Sequence, residues 1–372
     1  MLRLEPRLRP DVVLGALVAL YVLAVALLAA QGSYFFVRKS AIVPALCLGA
    51  LLSSRLTLFV RDWAVFLGLT FLFDAIRGAI YAAIVHFDLP VYMGYAIAAE
   101  RALLGGAVMP VLLQDLWYES GSIGGFERLL VIVHASHFVF FLTLGLAVWL
   151  LRPEEFRRYC LAMLLVMYGG LLAYLLLPTV PPWMAAAEYQ VMAPVHRIGM
   201  QLYNTSVPTL TAALATNPVA AMPSLHAAFP AVCTLIAIRT FGRRAAWTIA
   251  YTALSALSVM YLGEHYLVDV LAGWLLGVGA YILVFHTRLG RRRNASAAVS
   301  EPLVSRRQAA AAVGMGAVFV LAAEGVGIVK SRVQSPFVPT RAFIERELAG
   351  RSPVAAEHIR ARARKDGTAD GR

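Results

Sequence analysis

The sequence predicts an all-α fold, a polytopic transmembrane helix bundle of about 8–9 spans. Hydrophobic residues make up 60% of the 372 residues and charged residues only 15%, whereas soluble domains are nearer half apolar and a quarter charged. Apolar runs recur along the chain with the length of about 20 residues that crosses a bilayer as a helix. Basic residues fall in alternate connections between these runs. Together these three observations indicate a protein folded in a lipid bilayer.

The apolar runs give the predicted spans. In chain order they are Val12–Ala30, Ala41–Phe59, Trp63–Val85, Leu129–Leu151, Tyr159–Leu177, Ala221–Ile238, Ala246–Leu262, Leu267–Phe285 and Ala309–Val329. The first lacks a clear small-residue cleavage site, so we expect a retained helix rather than a removed signal peptide. The apolar segment Met93–Tyr118 is interrupted by Gly105, Gly106 and Pro110. We therefore expect a re-entrant or interfacial segment there rather than a complete span.

The basic residues predict the orientation of the bundle. Those in the connections on one side are Arg3, Arg7, Arg9, Arg55, Arg61, Arg157, Arg158, Arg243, Arg244, Arg288, Arg291, Arg292 and Arg293. Positive residues are enriched on the cytoplasmic side of membrane proteins, so we expect these connections inside the cell. Arg38 and Lys39 lie on the other side and do not fit this pattern. The same rule accounts for the net charge of +12 without a nucleic-acid partner.

Two short stretches on the predicted external side carry ionisable residues at helix ends. The first is MPSLHAA at Met222–Ala228, and the second is YLGEHYLVDVLAG at Tyr261–Gly273. Each contains a histidine, His226 or His265, and Asp269 follows the second histidine one helical turn later on the same face. Ionisable groups in membrane segments are energetically costly, so they indicate a functional site.

The first stretch has the features of a phosphate-binding helix start. Pro223 suits the first position of a helix, where a missing N–H costs little. The amides of Ser224, Leu225 and His226 would then point outward, where they and the positive end of the helix dipole bind anions. The Ser224 hydroxyl adds a further hydrogen-bonding group to this predicted phosphate site.

The second stretch can supply a nucleophile. Asp269 can accept one ring N–H of His265, which fixes the tautomer and leaves the other nitrogen free. Attack of that nitrogen on phosphorus gives a phosphohistidine, and His226 can donate a proton to the leaving oxygen. The alternative is structural, because Ser, His and Asp side chains also join helices in membrane bundles. Gly273, one turn after Asp269, would let another helix pack closely.

The two stretches resemble the second and third signature motifs of the type 2 phosphatidic acid phosphatase superfamily. In the third motif Ser258, His265 and Asp269 stand at the family's positions, but Val259 replaces the usual arginine. In the second motif Leu225 replaces a common glycine. Both departures resemble the inositol phosphorylceramide synthase-like, or inositolphosphotransferase, branch. The bacterial proteins of that branch to which this chain is similar are largely actinobacterial.

The resemblance covers roughly Trp63–Phe285 and implies a six-helix catalytic core. It implies that His265 is the nucleophile, that Asp269 orients it, and that His226 is the acid to the leaving group. Ser224 would hold phosphate oxygens. The resemblance implies neither a metal nor another cofactor.

Composition and the resemblance together predict five regions. These are N-terminal membrane helices at 1–62, a catalytic membrane domain at 63–288, a basic cytoplasmic linker at 289–308, an extra transmembrane helix at 309–329 and a flexible charged tail at 330–372. The linker is basic enough to touch anionic lipid.

The family's first motif supplies a lysine and an arginine to the phosphate, and this sequence has no clear equivalent. Its expected place, Leu176–Trp183, contains three prolines and no charge. An uncompensated phosphate is hard to hold in a low-dielectric site. Arg77 is the predicted substitute; the alternative is an ion pair with Asp74 that tethers the helix, and one arrangement can do both. Arg197 is a weaker candidate, because loop arginines are usually solvated.

Three other features have open interpretations. His134 and His137, one turn apart, either bind a metal for which no third ligand is evident, or join helices near the membrane interface. Glu264 either raises the basicity of the neighbouring His265 or is a solvated loop carboxylate. Gln114 either lines a headgroup pocket or anchors its segment at the interface.

These features predict an integral membrane enzyme acting on a phospholipid or polyprenyl-phosphate substrate at the outer leaflet of the cell membrane. The motif departures favour transfer of a phospho-headgroup such as phosphoinositol. Hydrolysis of phosphatidate or of a polyprenyl phosphate or diphosphate is the alternative. A transporter lined by buried ionisable residues is the rival from another class, but it predicts inverted repeats or paired broken helices, which are not evident. The sequence does not determine the oligomeric state.

Overall fold

The computed structural model describes residues 56–119, 122–199, 217–287 and 289. The predicted spans Val12–Ala30 and Ala309–Val329, most of Ala41–Phe59, and nearly all of the linker and the tail lie outside these residues. Regular structure in the described part is helical, with two isolated β-bridges and no named strand. Four of its helices are long and apolar enough to cross a membrane. The predicted all-α membrane fold is confirmed for this part of the chain.

The helices of the described residues are numbered here in chain order. They are α1 Leu56–His86, α2 Gly94–Leu103, α3 Met109–Trp117, α4 Gly125–Leu151, α5 Pro153–Leu176, α6 Pro182–Ala187, α7 Leu225–Phe241, α8 Trp247–Tyr261 and α9 Leu267–Phe285. A short 3₁₀ turn at Gly242–Ala245 joins α7 to α8. The predicted segment Leu267–Phe285 agrees with α9 at both ends, and the other predicted bounds shift by up to several residues.

Helix α1 corrects the predicted boundary between the second and third spans. It runs without a break from Leu56, so Arg61 lies within a helix and not in a connecting loop. Residues 56–67, around the predicted break, include no proline or glycine that would end a helix there. Its charges are instead accommodated locally, since Arg61 Nε lies 2.8 Å from Asp62 Oδ1. Asp62 Oδ2 also accepts a hydrogen bond from Trp149 Nε1 at 2.9 Å.

The interrupted apolar segment forms two short helices, as its glycines predicted. Helices α2 and α3 contain 10 and 9 residues, which is too short to cross a bilayer. Gly105 and Gly106 lie between them with φ values of 63° and 102°, a region that side chains disfavour. Pro110 lies in the first turn of α3, where a missing N–H is tolerated.

The long helices run up and down, and the connections at one end form the site. Tyr159 of α5 donates its hydroxyl proton to the Phe141 carbonyl and lies against Gly145 of α4, so these helices are antiparallel. In α7 and α8, Thr234 Oγ1 donates to the Thr248 carbonyl at 3.0 Å, which shows a second antiparallel pair. The ends of α5 and α8 therefore meet the starts of α7 and α9.

Helices α7 and α9 approach each other at two glycines. A Cβ on Gly273 would lie 2.2 Å from the Ser224 carbonyl oxygen, and one on Gly277 would lie 2.8 Å from the Ala228 carbonyl oxygen. Small residues four apart allow such close backbone contact in membrane bundles. The prediction that Gly273 admits another helix is confirmed. Helix α7, which begins in the first motif, therefore packs directly against α9, which contains Asp269 and Gly273 of the second motif.

Glu100 of α2 attaches the two short helices to the start of α9. Its side chain is 0% exposed, and Oε1 accepts the N–H groups of Leu267 and Val268 while Oε2 accepts that of Met109 at 2.8 Å. Burial raises the pKa of the Glu100 carboxyl, and the three backbone donors offset only part of that rise. The first amides of a helix have no intrahelical partner, so this carboxyl also caps α9.

Gly273→Ala is expected to separate α7 from α9, because its methyl group would overlap a backbone oxygen that cannot rotate away. We expect a loss of about 1–3 kcal/mol in the free energy of unfolding, measured by thermal or denaturant unfolding in detergent micelles. Gly279→Ala is the matched control, since no atom lies within 4 Å of the added methyl group. Equal stability of the two variants would contradict this account of the helix contact.

Glu100→Gln is expected to weaken the attachment of α2 to α9, because an amide offers one acceptor oxygen where the carboxyl offers two. At least one of the three backbone N–H groups loses its acceptor, which we expect to lower stability by about 1–3 kcal/mol. Hydrogen exchange of the Leu267 and Met109 amides measures the local effect. Glu119→Gln, at an exposed carboxyl, is the control and should leave exchange at both amides unchanged.

Candidate active site

His265 lies in the turn between α8 and α9, at the meeting point of the helix ends. Its side chain is almost fully buried. Nδ1 lies 3.0 Å from the Ala221 carbonyl oxygen and 3.5 Å from Asp269 Oδ2. Both neighbours are acceptors, so we assign the ring proton to Nδ1 and the lone pair to Nε2. Asp269 is adjacent as the spacing predicted, but the backbone carbonyl is the closer partner.

The lone-pair nitrogen of His265 faces the other motif histidine. His265 Nε2 lies 3.1 Å from His226 Nδ1. Since Nε2 carries no proton, His226 must donate this hydrogen bond from Nδ1. A phosphoryl group that reached Nε2 would replace this contact and find His226 beside it. The arrangement thus brings a nucleophilic nitrogen and a proton donor to one point.

The start of α7 differs from the prediction. The helix begins at Leu225 with Ser224 as its N-cap, and Pro223 lies before the cap, after a cis peptide bond. The N–H of Ser224 is not available to an anion, because it donates to the Asp269 carbonyl at 2.9 Å. Ser224 Oγ accepts the N–H of Ala227 at 3.3 Å, as serine does at N-caps. Its hydroxyl proton is the group that can contact a phosphate oxygen.

Leu225 packs into the core with its side chain. A methyl group on Gly170 of α5 would lie 2.8 Å from Leu225 Cδ2, so the glycine makes room for the leucine. The Leu225 backbone interacts with the hydroxyl of Tyr174, which donates to the Pro223 carbonyl at 3.1 Å. The only group of Leu225 that could contact a phosphate is therefore its backbone N–H. The Tyr174 hydroxyl already lies next to that N–H.

Val259, at the position of the family's arginine, is buried in an apolar cluster that includes Leu130 and Ala227. Its carbonyl accepts the N–H groups of Glu264 at 3.0 Å and His265 at 3.1 Å. A guanidinium among these apolar side chains would lose its hydration without a partner, which is costly. The apolar surroundings therefore suit a valine better than an arginine. Val259 positions His265 through its backbone carbonyl, which accepts the His265 N–H.

Arg77 approaches the site from α1. Its Nη2 lies 3.8 Å from Asp74 Oδ1, so the ion pair that we predicted as the alternative is present. The Arg77 charge also acts on the ring of His226 and on the hydroxyl of Tyr174. The tether is therefore present. Phosphate binding by Arg77 stays a prediction.

Arg197 and Glu264 form a partly buried ion pair beside the site. Arg197 Nε and Nη2 lie 2.8 and 3.3 Å from the two carboxylate oxygens of Glu264, and the guanidinium lies 4.3 Å from the ring centre of Trp183. Burial acts to raise the pKa of Glu264, but Arg197 more than offsets it and holds that pKa below its usual value. The expectations of a solvated arginine and a solvated carboxylate were wrong.

Helix α4 adds two histidines that the sequence did not place in the site. The ring centres of His134 and His137 lie 4.5 and 4.3 Å from that of His226, which in turn lies 5.3 Å from that of His265. We call these four residues the imidazole cluster. His134 and His137 thus face the site and not only the membrane interface. Across the described residues, no three His, Cys, Asp or Glu side chains are grouped to hold a metal ion.

The proline-rich turn at the expected place of the first motif contacts the site through its backbone. Thr179 N–H donates to the Val219 carbonyl at 2.7 Å, and the Thr179 carbonyl accepts the N–H of Ala221 at 3.1 Å. Ala221 is the residue whose carbonyl accepts from His265. The Trp183 N–H donates to the Gly263 carbonyl at 3.1 Å. This turn therefore helps to hold His265, the predicted nucleophile, through backbone contacts and supplies no charge.

Gln114 has neither of its predicted roles. Its Nε2 donates to the His196 and Tyr261 carbonyls at 2.8 Å each, and its Oε1 accepts the His196 N–H at 2.7 Å. The side chain thus joins α3 to the end of α8 and to the segment that precedes Arg197. The sequence did not predict the contacts of the Ala221 carbonyl, of Tyr174 or of Gln114. A backbone carbonyl or a single polar side chain forms no pattern in a sequence that would predict its partner.

The comparison with known families agrees with this geometry. A family model described as the PAP2 superfamily matches residues 97–283, about half of the chain and all of both histidine motifs. No curated protein and no solved structure matches the chain. The family match and the helical membrane fold support a phosphoric ester hydrolase or phosphotransferase. The chain therefore belongs to the PAP2 superfamily, the type 2 phosphatidic acid phosphatase superfamily of membrane lipid phosphatases and phosphotransferases.

Proposed function

We propose that the chain transfers a phospho-headgroup between lipids or lipid-like alcohols through a phosphohistidine formed on His265. The observation that carries the proposal is the contact between the lone-pair nitrogen of His265 and the Nδ1–H of His226. It supplies a nucleophile and a proton donor at one point, which phosphoryl transfer through histidine requires. The family match at 97–283 lies within the proposed catalytic domain, 63–288.

In the first step His265 Nε2 attacks phosphorus in line with the leaving oxygen. The P–N bond forms and the P–O bond to the lipid breaks. His226 acts as an imidazolium in this step: it gives its Nδ1 proton to the departing oxygen and becomes a neutral imidazole. His265 then carries a positive charge next to Asp269, whose side chain is 0% exposed. Asp269 Oδ1 has no hydrogen-bond partner among the described residues. Charge on the imidazole compensates this buried carboxylate, which favours the intermediate.

In the second step an oxygen nucleophile breaks the P–N bond, and His226 accepts its proton. An alcohol acceptor gives transfer and water gives hydrolysis. Leu225 and Val259, the two departures shared with the inositol phosphorylceramide synthase-like branch, support transfer, with phosphoinositol as the proposed group. Both side chains are buried: Leu225 packs against Gly170, and Val259 packs in an apolar cluster.

We propose that the site faces the outer leaflet of the cell membrane. The connections at the opposite end of the bundle carry exposed basic residues, namely Arg152, Arg157, Arg243 and Arg244. Basic connections are enriched on the cytoplasmic side, which supports an extracytoplasmic site. Labelling of single cysteines at Arg243 and at Glu119 with a membrane-impermeant reagent tests this orientation.

The test of function uses the full chain in mixed micelles with phosphatidylinositol, phosphatidate and a polyprenyl phosphate, each with and without an alcohol acceptor. We expect turnover of at least one substrate, and a product carrying the acceptor whenever transfer occurs. His265→Ala should lower the rate by at least about a thousandfold, because it removes the nucleophile. His86→Gln, at an exposed helix end, is the matched control. Turnover of no substrate by wild type would overturn the proposal, and free phosphate as the sole product would favour hydrolysis.

His226→Ala is expected to slow cleavage of an alkyl phosphate by about a hundred- to ten-thousandfold, since alkoxides need a proton in order to leave. The loss in the first step should be much smaller with p-nitrophenyl phosphate, whose leaving group is stable as an anion. Rapid-quench measurement of the phosphohistidine separates this step from the second. An equal loss for both substrates would show that His226 only shapes the site.

A further inference from the structure

The site lacks the fixed cations that a bound phosphate would need at the family's usual positions. Val259 is apolar and buried, the Leu176–Trp183 segment is uncharged, and Arg197 is paired with Glu264. A phosphoryl group, with one negative charge in a diester and up to two in a monoester, binds weakly in a low-dielectric site unless cationic donors surround it. Some other group near His226 must therefore supply positive charge.

Four groups lie close enough to His226 for a positive charge on any of them to act on its ring. They are His137, His134, His265 and Arg77. Three of the four are imidazoles, and His134 and His137 have no part in the proposed two-step mechanism. Their ring centres lie within 4.5 Å of that of His226. Both rings therefore pack against the ring of His226.

The hydrogen bonding of His137 makes its function depend on protonation. Its Nδ1 lies 2.6 Å from the His134 carbonyl oxygen, so Nδ1 carries a proton and is committed to that acceptor. Nε2 is then a lone pair in the neutral ring and a donor only in the imidazolium. A neutral His137 would repel a phosphate oxygen, whereas a protonated one would bind it.

We propose that His134 and His137 bind the phosphoryl group as imidazolium ions and replace the lysine and arginine of the missing first motif. This inference rests on the proposed function only for the identity of the ligand, the phosphoryl group of a lipid, for which free phosphate and phosphatidate are the probes. The phosphate brings its own negative charge and thereby stabilises the protonated rings. The pair is a phosphate subsite on the His226 side of the nucleophile.

The surroundings contain charges of both signs. Glu264 acts on His134 and on His265, and Asp269 lies beside His265. The charged or titratable groups that face the cluster are Arg77 and Asp74 from α1, Tyr174 from α5, Tyr251 from α8, Asp269 from α9, and Arg197 and Glu264 from the connections.

Imidazoles ordinarily titrate near pH 6.5, unlike lysine and arginine. Phosphate affinity should therefore depend on pH through this pair. Protonation below the imidazole pKa adds donors and raises affinity, and deprotonation above it removes them. The phosphate's own titration is the same for every variant, so ratios between variants at one pH isolate the protein's contribution.

The experiment measures binding of inorganic phosphate to the full chain in micelles by calorimetry, without turnover, at about pH 5.5 and about pH 8. We expect His134→Gln and His137→Gln each to bind about ten- to hundredfold more weakly than wild type at the lower pH. At the higher pH the ratio should approach one. His86→Gln, at the exposed end of α1, should bind like wild type at both values.

His134→Lys separates charge from structure. A lysine stays charged at about pH 8, so this variant should bind phosphate more tightly than wild type there and show a weaker pH dependence. Unfolding curves of all variants identify any that do not fold. Weaker binding by His134→Lys at both pH values, with normal unfolding, would overturn the proposal, as would unchanged binding by both glutamine variants.

A second set of measurements uses phosphatidate in mixed micelles in place of inorganic phosphate. Every chain in this set also carries His265→Ala, so that binding of phosphatidate is measured without turnover. Equal losses for the two ligands assign the pair to the phosphoryl group, as proposed. A loss with phosphatidate alone places the pair against the glycerol or the acyl chains and overturns the proposal.

If phosphate binds as expected while no lipid is turned over by the enzyme, the proposed function fails and this inference stands. If lipids are turned over while the pair does not affect phosphate binding, only this inference fails.

Discussion

The site depends on the close contact between α7 and α9. Gly273 allows the Ser224 carbonyl to approach the backbone of α9, and the Ser224 N–H donates to the Asp269 carbonyl. One residue of the first motif is thus fixed by backbone atoms to two residues of the second. Backbone contacts of this kind do not change with side-chain rotamers, so the two histidines are held in register by the helices themselves.

The connections at the site end reinforce that contact from outside. Glu100 joins the short helices to the first amides of α9, and the turn at Thr179 holds the strand-like segment that ends at Ala221. Gln114 joins α3 to the carbonyl of Tyr261 at the end of α8. None of these side chains belongs to either motif. They form a rigid support around His265, and such support keeps a reactive group oriented.

The departures from the family's motifs are explained by packing rather than by altered chemistry at the nucleophile. Leu225 occupies space left by Gly170, and Val259 completes an apolar cluster. Both changes remove room or polarity that a cation would need. The groups near His226 that can carry positive charge are instead Arg77 and three imidazoles, and an imidazole, unlike a fixed charge, gains or loses its proton near neutral pH.

The sequence by itself predicted the helical membrane fold of the described residues and the interrupted segment, and it singled out His226, His265 and Asp269 as candidate catalytic residues, because these follow from local composition and spacing. Its errors were local too: the unbroken α1, and the helix start at Leu225. Only the tertiary structure showed that His134 and His137 meet His226 and that Arg197 pairs with Glu264, since those contacts join residues far apart in sequence. It also showed that the Ala221 carbonyl is the nearer partner of His265. A backbone acceptor exists at every position of a chain, and only the fold decides which one a side chain meets.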